Sequence, residues 1–140
     1  MAMTYRHRNC AAAAGDTWYL MNLDGTLATP GPLVVPVGMT RITQIIFTPG
    51  DTAPTAATCN MGAILKLVGV NAGEALLFPS AFTSLLAGAG GNSGVQYGAM
   101  RFDVDIPVTP GKQISPYVCF TLGVDAGTPQ ADITIGFSSS

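Results

Sequence analysis

Charge is what this sequence has least of. Of its 140 residues, 10% are Asp, Glu, Lys or Arg, against about 25% in an ordinary soluble domain. Lys66 and Lys112 are the only lysines and His7 the only histidine. A net charge of -2 excludes a nucleic-acid binder of the usual kind, because displacing counterions from phosphates takes a concentrated set of Lys and Arg. The basic triplet Arg6-His7-Arg8 is too short for that and reads as part of a solvated arm. With the one histidine in that arm, Ser-His-Asp or Cys-His catalysis has no base in the ordered part of the chain.

Long apolar runs are missing too. Residues 75–100 carry no charge, but Pro79 and the run Gly88-Ala89-Gly90-Gly91-Asn92-Ser93-Gly94 break any membrane-spanning helix. Residues 1–16 place basic residues before four alanines, an apolar stretch shorter than the roughly 7 to 15 residues of a secretory h-region. Neither a membrane partner nor a signal segment is expected. The three cysteines, Cys10, Cys59 and Cys119, form no C-x-x-C pair and have no nearby histidine, so no zinc site is expected. Cys119 falls inside a strand pattern as a small core or interface residue; a Cys10–Cys59 disulfide and reduced thiols are both compatible with the spacing.

What is present is alternation of period two. In Arg101-Phe102-Asp103-Val104-Asp105-Ile106 the apolar side chains face one way and the charged ones the other. Ile114, Val118 and Phe120 oppose Ser115, Tyr117 and Cys119, and Ile133, Ile135 and Phe137 oppose Asp132 and Thr134. Further strands are expected at 17–23, 33–37, 41–47, 58–70 and 75–78, which makes about eight. Between them stand Asp24-Gly25, Pro30-Gly31-Pro32, Pro49-Gly50-Asp51, Asn71-Ala72-Gly73, Pro110-Gly111 and Asp125-Ala126-Gly127, all turn signals. The expected fold is all-β, an antiparallel β-sandwich of about eight strands with at most one short helix, at 80–87, capped by Ser80 and stopped by Gly88. Residues 1–16 are expected as an extended N-terminal arm and 17–140 as the sandwich domain.

Two stretches look alike, VVPVGMTRITQIIF at 34–47 and DIPVTPGKQISPYVCF at 105–120. Each has a proline at a strand end (Pro36, Pro107), a turn glycine (Gly38, Gly111) and then a basic residue (Arg41, Lys112). Because proline cannot donate to a ladder, both are expected as hairpins on a rim of the sandwich.

Candidate chemistry is thin. Asp103 and Asp105 lie about 6.5 to 7 Å apart along one strand face, but nothing apolar between them raises a pKa as glycosidase chemistry needs; a solvated or ion-paired face, with Arg41 or Arg101 across a subunit boundary, fits better. Adding Asp125 makes a calcium set without the spacing of a calcium loop. Gly88 to Gly94 lacks the Lys of a phosphate-cradling loop. Trp18 and Tyr19 point to opposite faces, so only one of them can offer a stacking platform, and a core Trp is the more common arrangement. Tyr97 and Tyr117 suit an interface. No catalytic, cofactor-binding or metal residues are assigned, no cofactor is implied, and an enzyme is not expected.

Carried by VPVGMTRITQIIF, IPVTPGKQISPYVCF, the arm to Asp16 and the terminal strand at 132–137, the chain resembles the single jelly-roll proteins of virus particles, in particular the decoration or cement proteins of tailed-phage capsids. The resemblance implies a structural protein on the capsid surface of the virion, a homo-oligomer, in particular a trimer, that clamps a major capsid protein or neighbouring shell subunits with its arm laid over them. The alternative is a receptor- or carbohydrate-binding β-sandwich module of a viral fibre or extracellular assembly. Both accord with a surface left uncharged because other protein covers it.

Overall fold

The computed structural model describes residues 2–11, 16–23, 29–49, 58–68, 73–86, 100–121 and 130–140. They form nine strands: β1 (Met3–Ala11), β2 (Tyr19–Leu20), β3 (Leu33–Val34), β4 (Arg41–Pro49), β5 (Thr58–Val68), β6 (Glu74–Leu86), β7 (Met100–Pro107), β8 (Gln113–Thr121) and β9 (Gln130–Ser138). One sheet, A, has the order β1-β9-β4-β7; the other, B, has β2-β8-β5-β6 with β3 also on β8. Every pairing is antiparallel. Apart from the β5–β6 pair and the short β2–β3 step along β8, each consecutive strand moves to the opposite sheet, which is the double-sheet jelly roll. The all-β sandwich expected from the alternation is the fold observed.

The two inner faces meet as the period-two pattern requires. Ile42, Ile45 and Phe47 of β4 and Ile133, Ile135 and Phe137 of β9 are buried against Met61, Leu65, Ile114, Val118 and Phe120 of sheet B. Phe47 and Phe102 from sheet A and Phe78 from sheet B close one end, with ring centroids 5.3 to 6.0 Å apart, in the edge-on and tilted arrangements that aromatic quadrupoles favour.

The two look-alike segments are not hairpins. Residues 33–47 leave sheet B at Val34 and enter sheet A at Arg41, while residues 100–121 leave sheet A at Pro107 and enter sheet B at Gln113. They run antiparallel to each other across both sheets, β3 on β8 and β4 on β7. Their corners are tied together, Val35 N–H donating to Lys112 O at 2.8 Å, Gly111 N–H to Val35 O at 3.0 Å and Val108 N–H to Thr40 O at 2.9 Å. The shared sequence style thus has one cause: two strands of one bent ribbon fold over the same rim. Gly38 and Gly111 sit at φ 83° and 85° with open space around the missing Cβ, so the backbone conformation alone demands glycine. Gly111→Ala and Gly38→Ala are each expected to cost about 1 kcal/mol, measured as a shift in urea midpoint with unchanged slope.

Two other expectations need correction. Residues 80–87, expected as a helix, lie in β6 up to Leu86, where Thr58–Ala63 of β5 pair with Ala81–Leu86; pairing with a neighbouring strand overrides the short helical pattern. Within the expected arm, residues 3–11 are extended but belong to the sandwich. Met3 through Ala11 pair with β9 in unbroken register, and Cys10 and Arg8 are buried at 6% exposure each.

A register shift falls between Ile42 and Gln44 of β4. It leaves the Thr43 hydroxyl buried with no hydrogen-bond partner. Thr43→Val keeps the shape and removes an unpaired polar atom, so a gain of about 1 kcal/mol is expected in a thermal or denaturant melt. A loss would mean the hydroxyl has a partner in solution.

Candidate functional site: two unlike faces

Most outward polar side chains of sheet A are committed to one another, while Met3 and Tyr5 on its edge strand β1 stand exposed at 47% and 51%. Arg101 donates to Asp103 at 3.1 Å and, with the Gln44 amide turned to present its oxygen, to Gln44 at 2.7 and 2.9 Å. Arg41 is ion-paired to Asp105. His7 Nδ1 shares a hydrogen bond with Thr134 Oγ1 at 3.1 Å, and its Nε2 lies 3.8 Å from Asp132. Gly136 leaves room for the Tyr5 ring, which a Cβ there would meet at 2.8 Å. Asp103 and Asp105, candidates for a carboxylate pair or for pairing across a subunit boundary, each hold an arginine of their own chain. Asp125 lies outside the described residues, and among those described no group of three or more His, Cys, Asp or Glu could hold a metal.

Sheet B turns a different face outward. Ile64 and Lys66 of β5, Leu76 of β6, Tyr117 of β8, Leu20 of β2 and Val34 of β3 share it, as their pairing with outward positions requires. Leu76 is 58% and Val34 50% exposed. Just past Val34, Val37 on the corner is 93% exposed. Lys66 and Glu74 on this face are tied locally, and Asp16 acts on Cys119 elsewhere on it. Lys66 Nζ lies 3.9 Å from Glu74 and 5.3 Å from the Tyr117 ring centre, while the Tyr117 hydroxyl donates to Glu74 at 3.3 Å. Burial and the Glu74 carboxylate raise the Tyr117 pKa, so its hydroxyl keeps its proton and continues to donate.

Trp18, expected in the core, is 37% exposed, while its neighbour Tyr19 packs against the core; alternation allows one of the pair inside and the structure selects the tyrosine. Tyr97, the glycine run at 88–94 and the side chain of Cys59 lie outside the described residues. Cys10 and Cys119 are free buried thiols. Burial pushes Cys10 to about 11 from 9.0. A folded-state pKa raised above the unfolded one adds stability below pH 9 that is lost as pH climbs through 11. Folded protein is accordingly expected to resist alkylation at Cys10 at pH 8, read by mass spectrometry, and to react once denatured.

The pairing of Lys66, Glu74 and Tyr117 was not foreseen from the sequence. Its signal is a basic and an acidic residue eight apart, flanking Asn71-Ala72-Gly73, which brings them together only once β5 and β6 are known to pair.

No family model matches the chain, and no curated protein matches it. Among solved structures it is similar to one described as the structure of infectious bursal disease virus Gx strain, at 11% identity over 96% of this chain and 31% of that one, TM-score 0.45. Another, of the Gt strain, gives 16% identity over 94% and 33%, TM-score 0.39. The chain therefore spans about a third of the length of those two. A likeness this slight supports no inference about function, and the fold assignment rests on the strand order alone.

Proposed function

We propose that this chain is a structural subunit of a virus particle, of the decoration or cement type, that attaches to the surface of a capsid shell as a homo-oligomer, a trimer in the form the family resemblance implies. Jelly rolls also carry lectin and cupin functions, so the proposal rests on the faces and not on the fold. The observation that carries it is the contrast between them. Across most of sheet A the polar groups already satisfy one another, with exposed Met3 and Tyr5 confined to its edge strand, and sheet B presents exposed Leu76 and Val34 beside the locally tied Lys66–Glu74 pair. Such a surface suits being covered by protein better than binding a small charged ligand.

The magnitudes point to assembly. Covering about 400 Å² of apolar surface at roughly 25 cal/mol/Å² contributes about 10 kcal/mol, while association costs roughly 4 to 15 kcal/mol. One such contact alone is marginal. A closed ring that engages a shell at several points gains attachment by avidity.

Particles purified from the producing organism on a density gradient test the proposal. The chain is expected to co-migrate with the shell at fixed stoichiometry through repeated gradients; finding it wholly in the soluble fraction contradicts it. The second reading, a carbohydrate-binding module, draws on the exposure of Trp18. A glycan array on which Trp18→Ala abolishes a reproducible signal would favour it.

A further inference from the structure

We infer that the outer face of sheet B is the seat of a second copy of this chain, so that the contact between copies is made by Ile64, Leu76, Val34 and Leu20 around the Lys66–Glu74 pair. This deepens the subunit reading, on which it rests, by naming the face and its occupant; a face that meets its own copy pairs chains two by two, so the contact gives a dimer in place of the trimer that the resemblance implies.

Three observations support it. The first is charge. Sheet A's outer face holds Arg41, Arg101, Asp103, Asp105 and Asp132, whereas sheet B's, apart from Asp16 beside Cys119, holds Lys66 and Glu74 among the described residues. The two are opposite in sign and 3.9 Å apart, so two such faces meet without like-charge repulsion, and each Lys66 can turn from its own Glu74 toward that of the neighbour. A basic or acidic partner would gain no complementary field here, and a lipid surface would find no cluster of cations.

The second is size. With four strands about 4.8 Å apart and about seven residues at roughly 3.3 Å each, the face measures on the order of 450 Å² in plane. Two copies therefore cover about 900 Å² before allowing for the corrugation of side chains, close to the ~1,000 Å² a specific interface needs.

The third is the quality of the surface. Val34 at 50% and Leu76 at 58% exposure stand on paired strands, not on loops, so their positions are fixed before contact and little ordering entropy is lost on binding. Tyr117, paired with Leu20 on one side and Ile64 on the other, supplies an aromatic anchor on the same face. Its hydroxyl is held by Glu74, and Tyr is among the residues that concentrate at such contacts.

The experiment compares three full-length chains by size-exclusion with light scattering at equal concentration: the unmodified chain, Leu76→Glu/Val34→Glu, and Met3→Glu on sheet A's outer face, where Met3 is 47% exposed. All three substituted side chains point to solvent, so each chain is expected to melt near the unmodified one, and circular dichroism checks this. The unmodified chain is expected as two or more copies, Met3→Glu likewise, and Leu76→Glu/Val34→Glu as single chains, with at least tenfold weaker association. If the sheet B variant stays associated while the unmodified chain is also associated, the face is wrong although the subunit reading stands. If the unmodified chain is single but associates when shell protein is added, the occupant is the shell and not a copy, which overturns this inference alone. A chain that is single under both conditions overturns both.

Discussion

Removing residues 1–11 is expected to leave a chain that no longer folds to a soluble sandwich. β1 is the outer strand of sheet A, paired with β9 from Met3↔Ser138 to Ala11↔Gln130. Its loss exposes the whole edge of β9, a strand whose inward side chains, Ile133, Ile135 and Phe137, are core. A long unpaired apolar edge is a template for pairing with other chains. Asn22 N–H would also lose Asn9 O, 2.8 Å away. The truncated protein should appear in the insoluble fraction or melt far below the full chain, and a synthetic peptide of residues 1–11 added during refolding should restore solubility by supplying the strand. A truncated chain that is soluble and melts as the full chain does would show that β1 is an arm after all.

The second large effect is expected at Arg8. Its guanidinium is 6% exposed and donates to Asn22 O at 3.0 Å and Pro32 O at 3.2 Å. The segment so held crosses the end of the sandwich, with Asn22 bridged to Pro30 and Gly31 N–H bonded to Met21 O. Arg8→Met preserves length and most of the volume but removes the guanidinium that donates to both carbonyls. At about 1 to 3 kcal/mol for each buried group that loses its donor, the loss is at most roughly 2 to 6 kcal/mol, the part-buried Pro32 O placing it in the lower half, still a large part of the roughly 5 to 15 kcal/mol that holds an ordinary domain together. The melting temperature should fall by about 10 °C or more. Arg8→Lys, reaching one carbonyl of the two, should fall between. A melt for Arg8→Met within a degree or two of the parent would mean that water serves the carbonyls equally well.

Both predictions concern the part of the chain that local pattern described worst. Alternation located β7 and β9 to within a residue or two, because half-buried strands write their two faces directly into the sequence. In β1 the inward positions include Arg8, whose burial depends on carbonyls 14 and 24 residues away; nothing within MTYRHRNCA distinguishes a cation that will find those acceptors from one that stays in water. β6 was underestimated for a related reason. SAFTSLL fits a short capped helix as well as a strand, and only β5 alongside decides. At the corners, Pro and Gly marked the bends correctly, but whether a bend returns a strand to its neighbour or carries it over to the other sheet is set by distant partners, here Lys112 for Val35 and Thr40 for Val108. Of the faces, sheet A's charged rows were legible from Arg101-Phe102-Asp103. Sheet B's apolar face was not, since it is assembled from strands scattered between residues 20 and 117.

The contrast between those faces also sets what salt should do. Ion pairs on sheet A are exposed and contribute little, about 0 to 1 kcal/mol each, so raising ionic strength should hardly affect folding. Association through sheet B, driven by apolar burial, should persist or strengthen in high salt.

Whether this molecule works by holding on to its neighbours is tested most directly by the mass of the unmodified chain in solution, measured by light scattering from low to high micromolar concentration at high and low salt. The account predicts an assembly of two or more copies over most of that range, undiminished by salt. A single 14.4 kDa species at every concentration that also fails to associate with added shell protein would contradict it.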